Sequence, residues 1–257
     1  MRVVVTDAEV TLADVLSLRL SMDQPLPHGT GLVLRHRTTG VEREVTLGPV
    51  DTGTLAVSLA PLELSAGRWD AYLHHDGRRV RLRSVDPGFS LDHLDAYALC
   101  RRTMAYRSYR TRNGYLALKI ADARPAAEVR AVWFREGRFE VTGLLAYTGL
   151  ADDDCRHEAR LALRRRQDGA ATIRTPATVQ GVRFHAAVSL VDMVTEAGTW
   201  EPALEVEGVA APLPLSSRLD DVDGKRRRLH YPATEVDGVP VRPRYTADDE
   251  LRIEVGG

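Results

Sequence analysis

Through much of the chain, apolar and polar residues alternate with a period of two. Leu16, Leu18, Leu20 and Met22 are interleaved with Ser17, Arg19 and Ser21, and Leu55, Val57 and Leu59 with Thr54, Ala56 and Ser58. Val80 and Leu82 sit between Arg79, Arg81 and Arg83; Phe184, Ala186, Val188 and Leu190 sit among His185, Ala187 and Ser189. Alternate side chains of a strand point to opposite faces, so this pattern predicts half-buried β-strands. Turn-forming pairs fall between the runs: Thr39-Gly40, Asp76-Gly77, Glu136-Gly137, Asp168-Gly169 and Glu207-Gly208. Such pairs join neighbouring strands into hairpins.

The pattern occurs twice. Ala66-Gly67-Arg68-Trp69-Asp70 through Leu73 matches Ala197-Gly198-Thr199-Trp200-Glu201 through Leu204. Val57-Ser58-Leu59 returns as Val188-Ser189-Leu190, and Leu32 to Arg37 as Leu161 to Arg166. Leu91-Asp92-His93-Leu94-Asp95 answers Leu219-Asp220-Asp221-Val222-Asp223. Thr111, Leu116, Leu118 and Ile120 answer Thr246, Leu251, Ile253 and Val255. Matches that keep their order while their offset drifts are what loop insertions between fixed elements produce. The expectation is an all-β chain of two tandem antiparallel β-sandwich domains, immunoglobulin- or fibronectin-like, related by internal duplication, with copies at 1–123 and 124–257. Trp69 and Trp200 follow a glycine turn at a strand start. Their recurrence favours a plug between two sheets over an exposed platform for a sugar ring. Leu91 to Tyr106 leaves room for a short helix in the first copy. Pro232, Pro240 and Pro243 would break its counterpart.

Composition narrows the function classes. The chain has 257 residues, 44% of them hydrophobic, which is enough for one large or two ordinary cores. A formal net charge of -1 gives no global field for nucleic acid or a membrane surface. No apolar run approaches the ~18 residues of a membrane span, and MRVVVTDAEV has no secretory pattern, so a cytoplasmic protein is expected. Cys100 and Cys155 occupy non-equivalent positions of the repeat and read as reduced thiols.

No nucleophile elbow, phosphate loop, dinucleotide fingerprint or zinc motif is present in the sequence, and neither a cofactor nor a metal is expected. Asp152-Asp153-Asp154, Asp220-Asp221-Asp223 and Asp249-Glu250 lack calcium-loop spacing and read as solvated turns. His74 and His75 are adjacent on a strand and point to opposite faces. Of two basic runs, Arg164-Arg165-Arg166 reads as a solvated strand face. Lys225-Arg226-Arg227-Arg228, after an acidic turn, could meet a phosphate or an anionic polymer. The candidate anion or ligand site is Asp220, Asp221, Lys225, Arg228 and Tyr231. No aromatic residues interleave with these runs as nucleic-acid binding would need.

The series Ala197-Gly198-Thr199-Trp200-Glu201, Ser217 to Lys225, Tyr231-Pro232-Ala233, Val241 to Thr246 and Leu251-Arg252-Ile253 resembles the β-rich accessory region attached to actinobacterial CDP-glycerol glycerophosphotransferases and glycosyltransferases of cell-wall polymer synthesis. The resemblance covers most of the second copy and, more faintly, the first. The arginine bias, with only Lys119 and Lys225 among 35 basic residues, suits a GC-rich actinobacterial genome. What the resemblance implies is a non-catalytic binding or adaptor protein whose partner is a glycan, a polyol-phosphate chain or a transferase. The α/β catalytic domain of those proteins has no counterpart here. Two alternatives stand beside it. One is an enzyme of unidentified type at the junction of the copies, using His93, Asp220, Asp221, Lys225, His230 and Tyr231. The other is a structural, oligomer-forming protein pairing through an edge strand.

Overall fold

The computed structural model describes residues 3–50, 53–86, 91–167, 172–219 and 224–256, with the side chains of 91–94 excepted. The chain is nearly all β and divides into two compact units, Met1–Tyr97 with Arg102–Ala123, and Ala98–Arg101 with Arg124–Gly257. No described helix is long and apolar enough to cross a membrane.

The first unit runs β1 (Val3–Val10), β2 (Val15–Met22), β3 (Gly31–His36), β4 (Glu42–Thr46), β5 (Thr54–Ser58), a 3-10 turn (Ala60–Leu62), β6 (Gly67–His75), β7 (Arg78–Arg81), β8 (Arg83–Ser84), the helix α1 (Leu91–Leu99), β9 (Met104–Arg110) and β10 (Leu116–Asp122). One sheet is ordered β5-β2-β1-β8 and the other β4-β3-β6-β10-β9, with β7 also on β6. Leu16, Leu18, Leu20, Leu55 and Val57 of the first sheet meet Leu32, Leu34, Trp69, Leu116 and Leu118 of the second in one core. This unit is a two-sheet sandwich. The hairpin tips at Asp76-Gly77 and Glu136-Gly137 both have positive φ at both residues, the backbone that two-residue hairpins require. The alternation around Val80 misleads on one count: Leu82 is buried, but Val80 is 55% exposed on the short β7.

Tyr97 fastens the end of α1 to this sandwich. Its hydroxyl donates to Asp14 Oδ1 (2.8 Å) and accepts from the Tyr106 amide (3.1 Å). Arg102 lies 3.6 Å above the ring and donates to the same carboxylate oxygen at 2.5 Å. Burial raises the phenol above its ordinary value of 10.0. The folded state therefore holds a proton that the unfolded chain releases, and stability falls as pH rises past that ordinary value. Denaturant midpoints should decline between about pH 10 and 11.5, and the decline should be shallower in Tyr97→Phe.

The second unit runs β11 (Ala126–Arg135), β12 (Arg138–Ala146), β13 (Arg156–Arg165), β14 (Thr172–Gln180), β15 (Arg183–Ser189), α2 (Leu190–Val194), β16 (Gly198–Val206), β17 (Leu213–Ser216), α3 (Lys225–Arg228), β18 (Thr234–Val236), β19 (Val239–Tyr245) and β20 (Leu251–Val255). The open sandwich expected here is corrected. β13, β14, β15, β12, β11, β17 and β16 pair in sequence, and β16 pairs back to β13, so seven strands close a ring. The closure depends on β14 and β15, which turn at Gly181-Val182 and pair from Ala177↔Ala186 to Gln180↔Arg183. It also depends on Ala203 and Leu204 of β16 pairing with Pro214 and Leu213 of β17. In the first unit the segment between β4 and β5 instead buries Leu47 and Val50, with Pro49 between them carrying no amide donor, and the two strands stay unpaired.

The prolines expected to break a helix in this unit leave a four-residue α3, and Pro240 and Pro243 lie within β19. That strand forms an unforeseen hairpin with β18 and continues through β20 to β16.

Seven pairings of the first unit have a counterpart of the same direction in the second: β1–β2 with β11–β12, β1–β8 with β11–β17, β2–β5 with β12–β15, β3–β4 with β13–β14, β3–β6 with β13–β16, β6–β10 with β16–β20, and β9–β10 with β19–β20. Among these, only β1–β8 and β11–β17 are parallel. Both first strands carry a register shift, between Val5 and Asp7 and between Val129 and Ala131. The shared Ala-Gly-x-Trp stretch opens β6 and β16. Gly67 (φ 138°) and Gly198 (φ 145°) have a backbone that side chains rarely adopt, and an added Cβ would fall 2.1 Å from His36 Nε2 or 2.7 Å from Gln167 Oε1. Trp69 and Trp200, two residues on, are 1% and 2% exposed. Trp69 faces His36 across the ladder and Trp200 faces Arg165.

Candidate functional site

The sequence-selected residues do not gather into one site. Asp220 and Asp221 lie outside the described residues, as does the His93 side chain. Lys225 is fully buried, with Nζ 3.9 Å from Asp249 Oδ2. Arg228 is exposed, and His230 Nε2 lies 3.0 Å from the Arg227 carbonyl. The half-buried Tyr231 ring tilts against Tyr245 at 6.2 Å. Burial, followed by the neighbouring Tyr231, raises the Tyr245 phenol. Lys225 thus helps hold the protein together. Successive helical residues are about 100° apart, so when Lys225 turns inward its neighbour Arg226 turns out.

Arg226 opens onto a cavity of about 240 Å³, walled also by Arg166, Thr199, Arg244, Tyr245, Thr246, Ala247, Arg252 and Glu254. Among the described residues, four guanidiniums line it against one carboxylate. The alternation of the strands accounts for this. Arg166 follows β13, Thr199 lies on β16, Arg252 and Glu254 on β20 and Arg244 on β19, and all project from the outward face of adjacent strands. The sequence reading treated the Arg164–Arg166 run as a solvated face, but its last arginine meets the second basic run here. Arg226, absent from the candidate set, is the member of that run which reaches the cavity. The signal that could have found it is the helical period of a short KRRR turn.

Existing ion pairs hold the arginines in place. Arg244 Nη1 lies 2.9 and 3.1 Å from the two Glu254 oxygens. Arg252 bonds Glu201 and lies 3.6 Å from Glu250 Oε2, and Arg166 Nε is 3.9 Å from Glu201. Thr246 Oγ1 accepts the Asp248 and Glu250 amides at 3.2 and 3.1 Å, which leaves its own hydroxyl proton to donate. Planar guanidiniums with several donors each are suited to the oxygens of a phosphate.

The segment that follows β17 is anchored from β11. Buried Glu128 accepts the Arg218 amide at Oε2 and the Leu219 amide at Oε1, both at 2.9 Å. The Asp152–Asp154 cluster also has local partners, while Asp223, like Asp220 and Asp221, lies outside the described residues. Arg183 pairs with Asp152, Asp153 accepts the Cys155 amide at 2.9 Å, and Asp154 accepts from Gln180 at 3.2 Å. Among the described residues no group of three or more His, Cys, Asp or Glu could hold a metal ion.

No family model and no curated protein matches the sequence. Among solved structures, the S. aureus TarS 217-571 fragment aligns at 11% identity and TM-score 0.37, over 82% of this chain and 61% of that one. The longer S. aureus TarS structure aligns at 12% identity and TM-score 0.35, over 82% of this chain and 39% of that one. A two fibronectin type-III domain segment from chicken tenascin aligns at 11% and TM-score 0.22, over 82% of this chain and 93% of that one. The chain thus spans less than two thirds of either TarS chain. At these scores no functional property is transferred.

Proposed function

We propose that this protein is a non-catalytic binding module descended from a duplicated sandwich, with copies at 1–123 and 124–257, and that its second copy grips phosphate groups of an anionic chain. The seven recurring pairings, the paired bulges and the two Gly-x-Trp strand starts support the duplication. The observation that carries the functional reading is the convergence of Arg166 and Arg226, one from each basic run, on one cavity with Arg244 and Arg252. The sequence resemblance to accessory regions of wall-polymer transferases supplies the ligand class, a polyol-phosphate chain.

The test is calorimetric titration with short glycerol-phosphate oligomers, using glycerol oligomers without phosphate as control. Only the phosphate series should bind, and more weakly as salt rises. Arg226→Ala and Arg166→Ala should each weaken binding about five- to tenfold, the effect of removing one charged hydrogen-bonding partner at a partly exposed site. Equal binding of the neutral oligomers, or unchanged affinity in both variants, would remove the reading.

A further inference from the structure

The arginine cavity is one end of a longer trough. Arg252 also lines a second cavity of about 180 Å³, floored by Ala162, Ala203 and Pro214 and edged by Arg164 and Glu201. That cavity shares Glu205 and Pro212 with a third, of about 340 Å³, into which Glu158, Arg160 and Glu207 also project. The strand pattern explains why the three form a line. Glu158, Arg160, Ala162, Arg164 and Arg166 are alternate positions along β13 and its end, and Glu207, Glu205, Ala203, Glu201 and Thr199 are alternate positions along β16, paired antiparallel to it. Small side chains at Ala162 and Ala203, which pair across the ladder, sink the middle of this face. Arg160 to Arg166 covers about 20 Å at the usual rise of an extended strand.

Charge changes sign along the trough. Among the described residues the end at Arg226 is lined by four arginines and one glutamate, with Glu201 and Glu250 pairing to Arg166 and Arg252 from beside it. The middle is balanced, with Arg174 3.4 Å from Glu205 and Arg252 3.6 Å from Glu250. Among the described residues the far end adds Glu158 and Glu207 against Arg160, with Glu205 shared with the middle, where Arg174 pairs with it. A purely anionic chain long enough to fill the trough would place its far phosphate against Glu158, Glu205 and Glu207, a like-charge contact that weakens binding.

We infer that the trough takes a zwitterionic chain, with a phosphate at the Arg166–Arg226 end and an ammonium group about 20 Å along, at Glu205 and Glu207. The inference rests on the phosphate reading of the arginine cavity and adds the second charge. Ring stacking plays no part in it, because the described residues lining the middle and far cavities include no aromatic side chain.

The probe is a synthetic oligo(ethylene glycol) series with phosphate at one end and either ammonium or hydroxyl at the other, titrated calorimetrically into the intact protein. Short members should bind alike. Once the chain spans about 20 Å, the ammonium form should bind about fivefold tighter, as expected for a partly exposed ion pair. Glu205→Gln with Glu207→Gln should abolish that preference and leave phosphate affinity in place, while Arg226→Ala should weaken both forms. Equal affinity of the two forms at every length overturns the zwitterion inference and leaves the phosphate reading standing. Failure of both forms to bind, with folding confirmed by circular dichroism, overturns the phosphate reading itself. Tighter binding by an equally long peptide with aspartate at one end and lysine at the other contradicts the proposal and assigns the face to a protein partner.

Discussion

Trp69→Ala is expected to destabilise the first unit by about 3–5 kcal/mol, the range for truncating a fully buried aromatic side chain that leaves a cavity. The indole is 1% exposed, lies edge-on to His36 at 5.1 Å and 83°, and donates its N–H to the Ser65 carbonyl at 2.9 Å. Trp200→Ala should cost a similar amount in the second unit, where that indole is 2% exposed. The conservative variants separate the two sites. Trp200 Nε1 is buried without a hydrogen-bond partner among the described residues, whereas Trp69 Nε1 is satisfied. Trp69→Phe therefore leaves the Ser65 carbonyl unmatched and should cost about 1–2 kcal/mol more than Trp200→Phe. Urea unfolding followed by far-UV circular dichroism measures both. A loss below about 1 kcal/mol for either alanine variant would show that the indole is not a core plug.

Glu128→Ala should cost about 2–4 kcal/mol. Its carboxylate is 2% exposed and is the acceptor for two consecutive amides, those of Arg218 and Leu219. Removing it leaves one buried and one part-buried donor without that acceptor. Glu128→Gln retains one carbonyl oxygen and turns an NH₂ group toward the other donor, so most of the penalty should remain. Hydrogen exchange should then quicken selectively at the Arg218 and Leu219 amides. Unchanged protection at both would contradict the anchoring role.

The strands were legible where alternation was regular, as in β2, β5 and β15, and so were the hairpin turns at Thr39-Gly40, Asp76-Gly77 and Glu136-Gly137. Asp168-Gly169 lies outside the described residues, and the equivalent signal at Asp237-Gly238, the tip of the β18–β19 hairpin, was passed over. The first strand of each unit, β1 and β11, left no clean alternation because a register shift interrupts its period. Pro240 and Pro243 signalled only a break, yet β19 accommodates them. Pro240 lies in the short hairpin opposite Glu235, and Pro243 sits opposite Ile253. Ring closure was not legible at all. It depends on whether β14 meets β15 and β16 meets β17, pairings set by tertiary fit and not by either strand's own pattern. The site was half legible. Both basic runs stood out, but composition could not say which arginine faces outward. Strand parity for Arg166 and the helical turn separating Lys225 from Arg226 decide it.

The most direct test of the binding face is residue-resolved NMR titration of the isotope-labelled protein with a short glycerol-phosphate oligomer. The expected perturbations centre on Thr199, Arg226, Thr246 and Arg252 and extend toward Ala203 as chain length grows. Saturation without shifts at those positions, or shifts centred on the first unit, would contradict a phosphate-binding face on the second unit.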